Sequence, residues 1–415
     1  MDLFIIEMAA TATIAITVFG IAFCLLQTRY CRVNRSLSVF LAAIAVNNVP
    51  TALNRYFEDE GSFFVQVAEV VLWSPSNLCL APLFWLYVYT LTSKAQRRPA
   101  RLYRHFVLPA LAMLVGVAIA VGPQEVRTAL IPNDTLPTSI GAIVLIAAFA
   151  VLQLLLFPQM AVYLFLILRR LLQYRRLLRD VYASTEEHEL RWIYAIGGFG
   201  VLFWGTHTAI LVLAFEASAA TAPPAFSNLA SLTGLALVAT TTLWGVRQRP
   251  PLVPVPTDTP PSGGADSQKA KKNAEQGKAE KYEKSALNSE TATRLSRKLR
   301  DAMETDHLHR DPNLSLWVLA RHTGASPNYI SQTLNEVIGE SFFDFVNGYR
   351  IAEAKARLSS TNDTILNITY DVGFNARSSF YNAFKRVTGQ TPSSFRKTMS
   401  CPVGMDDKTA NPRDI

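Results

Sequence analysis

Hydrophobic and polar positions are segregated along the chain. Residues 1–248 form long apolar stretches joined by short polar connections, and residues 249–415 are polar and charged. Apolar runs lie near 3–26, 37–55, 64–92, 106–122, 139–167, 192–215 and 227–246. Each approaches or exceeds the ~20 residues that a helix needs to cross a bilayer. A backbone inside lipid must satisfy its own N–H and C=O groups, which favours helices. The pattern predicts an all-α fold, with seven transmembrane helices over residues 1–248. No Lys or Arg precedes the first run, so it reads as a spanning helix and not as a cleaved signal.

Charge orients these helices. The first connection holds Arg29, Arg32 and Arg35. The third holds Lys94, Arg97, Arg98, Arg101 and Arg104, and the fifth holds Arg169, Arg170, Arg175, Arg176, Arg179 and Arg191. The intervening connections hold Arg127, with Arg55 at a helix end, and the second carries Glu58, Asp59 and Glu60. Positive residues stay on the cytoplasmic side. The N-terminus is therefore expected outside, and everything after residue 246 inside.

Within the apolar half, Glu69, Asn47, Asn48 and His207 stand out. Polar groups at membrane depth face a cavity or a neighbouring helix. One reading is a pocket for a small-molecule or lipid ligand, and the other is hydrogen bonding between helices. Gly197, Gly198 and Gly200 are expected to let helices approach closely. Cys24, Cys31, Cys79 and Cys401 have neither metal-ligand spacing nor the look of a disulfide framework. No HExxH or GxSxG motif occurs, and His207 has no motif partner. No catalytic residue, metal site or cofactor is expected.

Residues 249–289 begin Pro-rich and continue with Lys, Glu, Ala, Gln and Ser. Such a segment cannot bury a core and is expected to be a disordered tether averaging about 35 Å. Residues 401–415 are expected to form a disordered tail. The formal charge of +8 suggests an anionic partner, either nucleic acid or a lipid surface.

Residues 290–400 hold the most specific pattern. An amphipathic helix over 290–306 places Leu295, Leu299 and Met303 at spacing four. A motif then occurs twice. The first copy runs Leu316, Ala320, Gly324, Ile330, Leu334, Val337 and Gly339. The second runs Ile365, Thr369, Gly373, Phe380, Phe384, Val387 and Gly389, with one residue inserted after the turn. Each copy reads as a helix, a Gly-containing turn and a second helix ended by Gly.

In the first copy, Ser326 caps the second helix and Pro327 occupies its first turn. Ile330, Leu334, Val337 and Ile338 are expected inside, and Asn328, Ser331, Gln332 and Asn335 outside. In the second copy, Phe380, Ala383, Phe384 and Val387 are expected inside, and Arg377, Ser378, Tyr381, Asn382 and Lys385 outside. Short polar side chains and an Arg fork suit base edges in a major groove, while Lys385 and Arg386 suit phosphates. Between the copies, Phe342, Phe345, Tyr349, Ala352 and Ala356 predict a long joining helix. It would fix the separation of the two units, and if both second helices enter the same DNA face their sites should lie about 34 Å apart, with Arg350, Lys355 and Arg357 as further phosphate contacts.

Gly373-Phe374-Asn375, Ser378-Ser379-Phe380, Phe384-Lys385, Gly389, Thr391-Pro392 and Phe395-Arg396 together resemble the DNA-binding domain of the AraC/XylS family of bacterial transcription regulators. The resemblance covers about 285–400, and the apolar half is only like the sensor ends of a membrane-anchored minority of that family. It implies base reading by Asn328, Ser331 and Gln332 in the first unit, and by Arg377, Ser378, Tyr381 and Asn382 in the second. Thr391 caps and Pro392 opens a last helix that presents Arg396 and Lys397 to the phosphate backbone. The family often has Arg where Asn382 stands, so a known operator sequence does not carry over. Residues 290–400 hold 14 basic against 11 acidic residues, a net of +3, so non-specific DNA affinity should be weak.

The expected function is a one-component regulator in a bacterial inner membrane. Its partners would be promoter DNA, the lipid bilayer, RNA polymerase, a second copy of itself and an unidentified small-molecule or lipid ligand. The competing reading is a receptor or transporter whose C-terminal helices dock a protein in place of DNA.

Overall fold

A computed structural model describes residues 2–27, 30–54, 67–93, 99, 101–128, 139–185, 224–248 and 289–400, with residue 190 and short pieces between 193 and 209. The 249–288 tether and the 401–415 tail lie outside the described residues. The chain divides into two compact units. One comprises Met1–Gln173 with Leu190–Val253, and the other Tyr174–Glu189 with Pro254–Ile415.

The first unit is built of helices α1 (Asp2–Leu26), α2 (Cys31–Leu53), α3 (Ser74–Leu91), α4 (Val107–Val121), most of α5 (Ile140–Arg179) and α6 (Pro224–Arg247). Among the described residues six helices are long and apolar enough to cross a membrane: Phe4–Leu26, Cys31–Leu53, Val70–Leu91, Leu102–Val121, Ile140–Arg179 and Ser227–Arg247. The run expected over 192–215 is helical where described, and much of it lies outside the described residues. α1 packs on α2 and α6, and α3 packs on α2 and α4. The Pro-containing third run is not a uniform helix. A π turn over Glu69–Trp73 leads into α3, whose first turn accepts Pro75 and whose interior holds Pro82.

Close helix approach occurs elsewhere than expected. A Cβ at Gly116 would lie 2.8 Å from the Val70 carbonyl oxygen, so α4 can meet the π turn only through a glycine. At Gly197, Gly198 and Gly200 no described atom lies within 4 Å of such a carbon, and much of the chain around them lies outside the described residues. Arg170 closes the end of α3. Its Nε donates to Thr92 Oγ1 at 2.8 Å, and its Nη2 donates to the Thr92 carbonyl at 3.2 Å and Ser93 Oγ at 3.1 Å. A cation suits this helix end, where carbonyls are left without helical partners.

The second unit contains α7 (Ser289–Glu304), α8 (Leu316–Thr323), α9 (Pro327–Thr333), α10 (Phe342–Ser360), α11 (Ile365–Asp371), α12 (Arg377–Thr388) and α13 (Pro392–Ser400). Short polar side chains start most of them. Ser315, Ser326, Ser341 and Thr364 each accept a backbone N–H from the first turn of the helix they precede. Thr391 Oγ1 does the same for Ser394 N at 3.2 Å, and Pro392 opens α13. Gly324, Gly339, Gly373 and Gly389 all have positive φ. Gly373 is additionally pinned, because a Cβ there would lie 2.5 Å from the His309 carbonyl oxygen.

Two cores result. Leu295, Leu299 and Met303 of α7 join Leu316, Leu319, Ile330 and Leu334 in the first. Ile368, Phe374, Phe380, Phe384 and Phe395 form the second. α10 serves both, with Phe342, Phe345 and Val346 in the first and Ile351, Ala354 and Leu358 in the second.

This double duty corrects the expected stripe on α10. Ala352 and Ala356 are exposed, because the helix turns a different face to each core. Arg350 lies between the two faces and is fully buried, so it is no phosphate contact. Val337 is also exposed, at 49%. α9 passes into a π turn over Leu334–Ile338, and a stripe drawn at 3.6 residues per turn slips off the core there. Val387 is 55% exposed, since α12 ends within two residues at Gly389.

A polar cluster ties α10 to the 307–311 loop. Glu353 Oε2 accepts from His309 Nε2 at 2.7 Å and Arg310 Nε at 2.9 Å, and Oε1 lies 3.1 Å from Arg357 Nε. Burial pushes the Glu353 carboxyl up, but hydrogen bonds from Arg310 and His309 outweigh it and hold it below its ordinary value. The folded state therefore favours the carboxylate. Its contribution is present above the unfolded carboxyl value of roughly 4.3 and is lost as pH falls through the lower folded value. Glu353→Gln is expected to cost about 2 kcal/mol at pH 7. The difference from the parent should vanish at low pH, as urea unfolding followed by circular dichroism would show.

Candidate nucleic-acid interface

The two copies of the motif fold as two helix-turn-helix units: α8 and α9 in the first, α11 and α12 in the second. In the first unit, buried Ile330 and Leu334 fix the rotation of α9. Asn328 is left exposed, and Ser331 and Gln332 half-buried on the same side. Gln332 Nε2 donates to Glu336 Oε2 at 2.9 Å, and Asn335 Nδ2 donates to the Ser331 carbonyl at 2.9 Å. Tyr329, exposed at 45%, belongs to this surface although the polar pattern passed over it. Its signal was an aromatic residue next to a cap, off the apolar spacing.

In the second unit, buried Phe380, Ala383 and Phe384 fix α12. Arg377, Ser378 and Asn382 face solvent, and Tyr381 is half-buried. Arg377 Nη2 donates to Tyr381 Oη at 3.2 Å, and its guanidinium carbon lies 5.0 Å from that ring's centre. A hydrogen bond with Ser393 holds the Tyr381 phenol below its ordinary value, against a smaller opposing effect of burial, and Arg377 adds to the lowering. The fork of Arg377 is thus braced at the start of α12, where a helix entering a major groove meets base edges.

The expected phosphate contacts divide. Lys385 and Lys397 are exposed. Arg386 Nη2 sits 2.8 Å from Asp344 Oδ1, with both side chains about half exposed. A pair this exposed contributes little and can open at small cost. Arg396 Nη2 donates to the Asp363 carbonyl at 2.6 Å, so it holds the α10–α11 connection together. Arg357 is engaged by Glu353 and Asp371, and the Lys355 ammonium lies 6.0 Å from the centre of the Phe395 ring.

In the apolar unit, Asn47 and Asn48 line a cavity of about 470 Å³ with Phe40, Phe84 and Tyr163. That volume falls within the range of small-molecule sites, roughly 300–1,000 Å³. Asn47 Nδ2 donates to the Trp73 carbonyl at 3.2 Å and Ser76 Oγ at 3.1 Å, and Asn48 Nδ2 donates to the Ile44 carbonyl at 2.9 Å. Both pocket and interhelical bonding therefore describe Asn47. Glu69 begins the π turn, but its side chain, like all of His207, lies outside the described residues.

Residues 319–398 match the family described as "Helix-turn-helix domain". An uncharacterized HTH-type transcriptional regulator of Staphylococcus aureus (strain COL) is 39% identical over 90 residues, which are 22% of this chain and 12% of that protein. The arabinose operon regulatory protein of Escherichia coli (strain K12) is 32% identical over 113 residues, 27% of this chain and 38% of that protein. Among solved structures, the C-terminal domain of AraT, a response regulator from Geobacillus stearothermophilus, matches at 28% identity. That match covers 28% of this chain and 98% of the other, with a TM-score of 0.25. The second unit thus carries a helix-turn-helix domain that is similar in sequence to part of the arabinose operon regulatory protein. The chain spans an eighth or so of the Staphylococcus relatives and well under half of the Escherichia coli protein.

Proposed function

We propose that the chain is a membrane-bound, one-component transcription regulator. The observation that carries the reading is the coexistence in one chain of six membrane-length apolar helices and two helix-turn-helix units with solvent-facing polar side chains. In this reading seven helices cross a bacterial inner membrane, with the N-terminus outside and the C-terminal unit in the cytoplasm. Asn328, Ser331, Gln332, Arg377, Ser378, Tyr381 and Asn382 read promoter bases, while Lys385, Arg386 and Lys397 meet phosphates. Two copies of the chain act together, in reach of RNA polymerase.

The cavity lined by Asn47 and Asn48 takes a largely apolar molecule that arrives through the lipid, because the Asn amides already have protein acceptors. Such a molecule need only favour one arrangement of the helices by a few kcal/mol to change the output.

Full-length protein in lipid nanodiscs is expected to enrich a defined sequence from a pool of random duplexes. Few free cations face the DNA, so the salt dependence should be shallow. About three phosphate contacts per copy give a slope near −3 for each copy bound, in log affinity against log salt. Failure to enrich any sequence, with the protein folded, would favour the protein-docking reading.

A further inference from the structure

Residues Val181–Ser184, just beyond the end of α5, pack inside the helix-turn-helix unit. They come from the connection that follows the fifth membrane-length helix, more than 100 residues before α7 in sequence. The Leu316 amide donates to the Val181 carbonyl at 2.8 Å, and the Ala183 amide donates to the Leu314 carbonyl at 3.2 Å. Together these make an antiparallel bridge between Tyr182 and Ser315, the residue that caps α8. This is strand addition in miniature, with the chain supplying its own added strand.

Side chains complete the joint. Ala183 is 1% exposed and is a member of the first helix-turn-helix core. The Tyr182 ring meets Trp317 edge-on, with ring centres 5.7 Å apart. Asn347 Nδ2 donates to the Ala183 carbonyl at 3.2 Å, and Arg350 Nη1 donates to Ser184 Oγ at 3.0 Å. At the start of the segment the Arg179 guanidinium lies 5.6 Å from the Phe343 ring centre. None of these partners is among the base-facing residues of α9 or α12.

We propose that Val181–Ser184 is a docking strap, which seats the connection that follows α5 in the Leu314–Leu316 and Asn347–Arg350 socket of the first helix-turn-helix unit. The chain then enters the C-terminal unit twice, once through the strap and once through the 249–289 tether. The strap is hydrogen-bonded into the unit, so a movement at the end of α5 has a direct route to the first helix-turn-helix pair. On the proposed function, which this consequence rests on, the membrane helices act on DNA binding through the strap. It covers no base-reading residue, so it works by placing the reader and not by masking it.

The test uses full-length protein in membrane vesicles, with Cys24, Cys31, Cys79 and Cys401 replaced by Ser and a protease site inserted in the tether. Arg179→Cys with Phe343→Cys puts two thiols at the edge of the joint. A short bis-maleimide is added, the tether is then cut, and the pieces are run on a denaturing gel. The expected result is one joined band, and loss of that band when Ala183→Glu is added. Trypsin resistance of the C-terminal piece reports whether Ala183→Glu leaves that unit folded. Unfolding by this change alone would also support the strap as part of the core. No joined band with the strap intact, or an equally strong one in a folded Ala183→Glu chain, would overturn the proposal. The readout contains no DNA, so it is independent of whether the chain regulates transcription.

Discussion

Arg350→Met is expected to destabilise the C-terminal unit by about 4 kcal/mol, from roughly 1–3 kcal/mol for each buried acceptor left without its donor. Arg350 is fully buried in the middle of α10. Its Nε donates to the His309 carbonyl at 2.7 Å, Nη2 to the Asp311 carbonyl at 2.8 Å, and Nη1 to Ser184 Oγ at 3.0 Å. The same guanidinium lies 5.4 Å from the centre of the Phe374 ring. One planar fork therefore ties the 307–311 loop, the strap and the turn of the second helix-turn-helix unit to a single helix. Small domains are stable by only about 5–15 kcal/mol, so the loss would remove a large share of the unit's stability. Arg350→Lys keeps the charge but not the fork, and should recover only part of the loss. Urea unfolding of the three proteins side by side measures both effects. A loss under about 1 kcal/mol in Arg350→Met would mean that water or a rearranged loop satisfies those carbonyls.

The second large effect concerns recognition. Replacing Arg377 and Gln332 together by Ala is expected to weaken binding to the selected DNA sequence about 100-fold, or roughly 3 kcal/mol, at one to three per base contact. The value lies in the lower part of that range because both side chains have partners in the protein that DNA must replace: Tyr381 for Arg377 and Glu336 for Gln332. Stability should change little, since neither side chain belongs to a core. Lys385→Ala should instead weaken binding to all sequences alike and flatten the salt slope by about one. Titrating labelled duplexes at several salt concentrations separates these outcomes.

What the sequence revealed followed local rules. Ser326 and Pro327 mark the start of α9, Thr391 and Pro392 that of α13, and Gly324, Gly339, Gly373 and Gly389 the turns and ends. Each depends on a cap or a backbone angle set within a few residues. The apolar runs were equally plain, because a lipid-length helix leaves a long compositional mark. Errors arose where distant segments decide. Arg350 looked like a surface cation because nothing nearby shows that two carbonyls and Ser184 converge on it. Val337 was lost to a π turn that simple periodicity does not contain. The Val181–Ser184 segment sat in a connection read only for its positive charge. Its signal was the apolar run Val181, Tyr182 and Ala183 in an otherwise polar stretch, but the partner 130 residues away was not legible.

The measurement that bears most directly on the central claim is chromatin crosslinking and sequencing of the full-length protein, beside the Arg377→Ala plus Gln332→Ala version. Fractionation of the same cells would confirm where the protein resides. The account predicts that intact protein stays in the membrane fraction while giving sharp genomic peaks, and that the double variant keeps its membrane level but loses the peaks. Peaks that survive the double variant, or intact membrane protein that gives none across growth conditions, would contradict it.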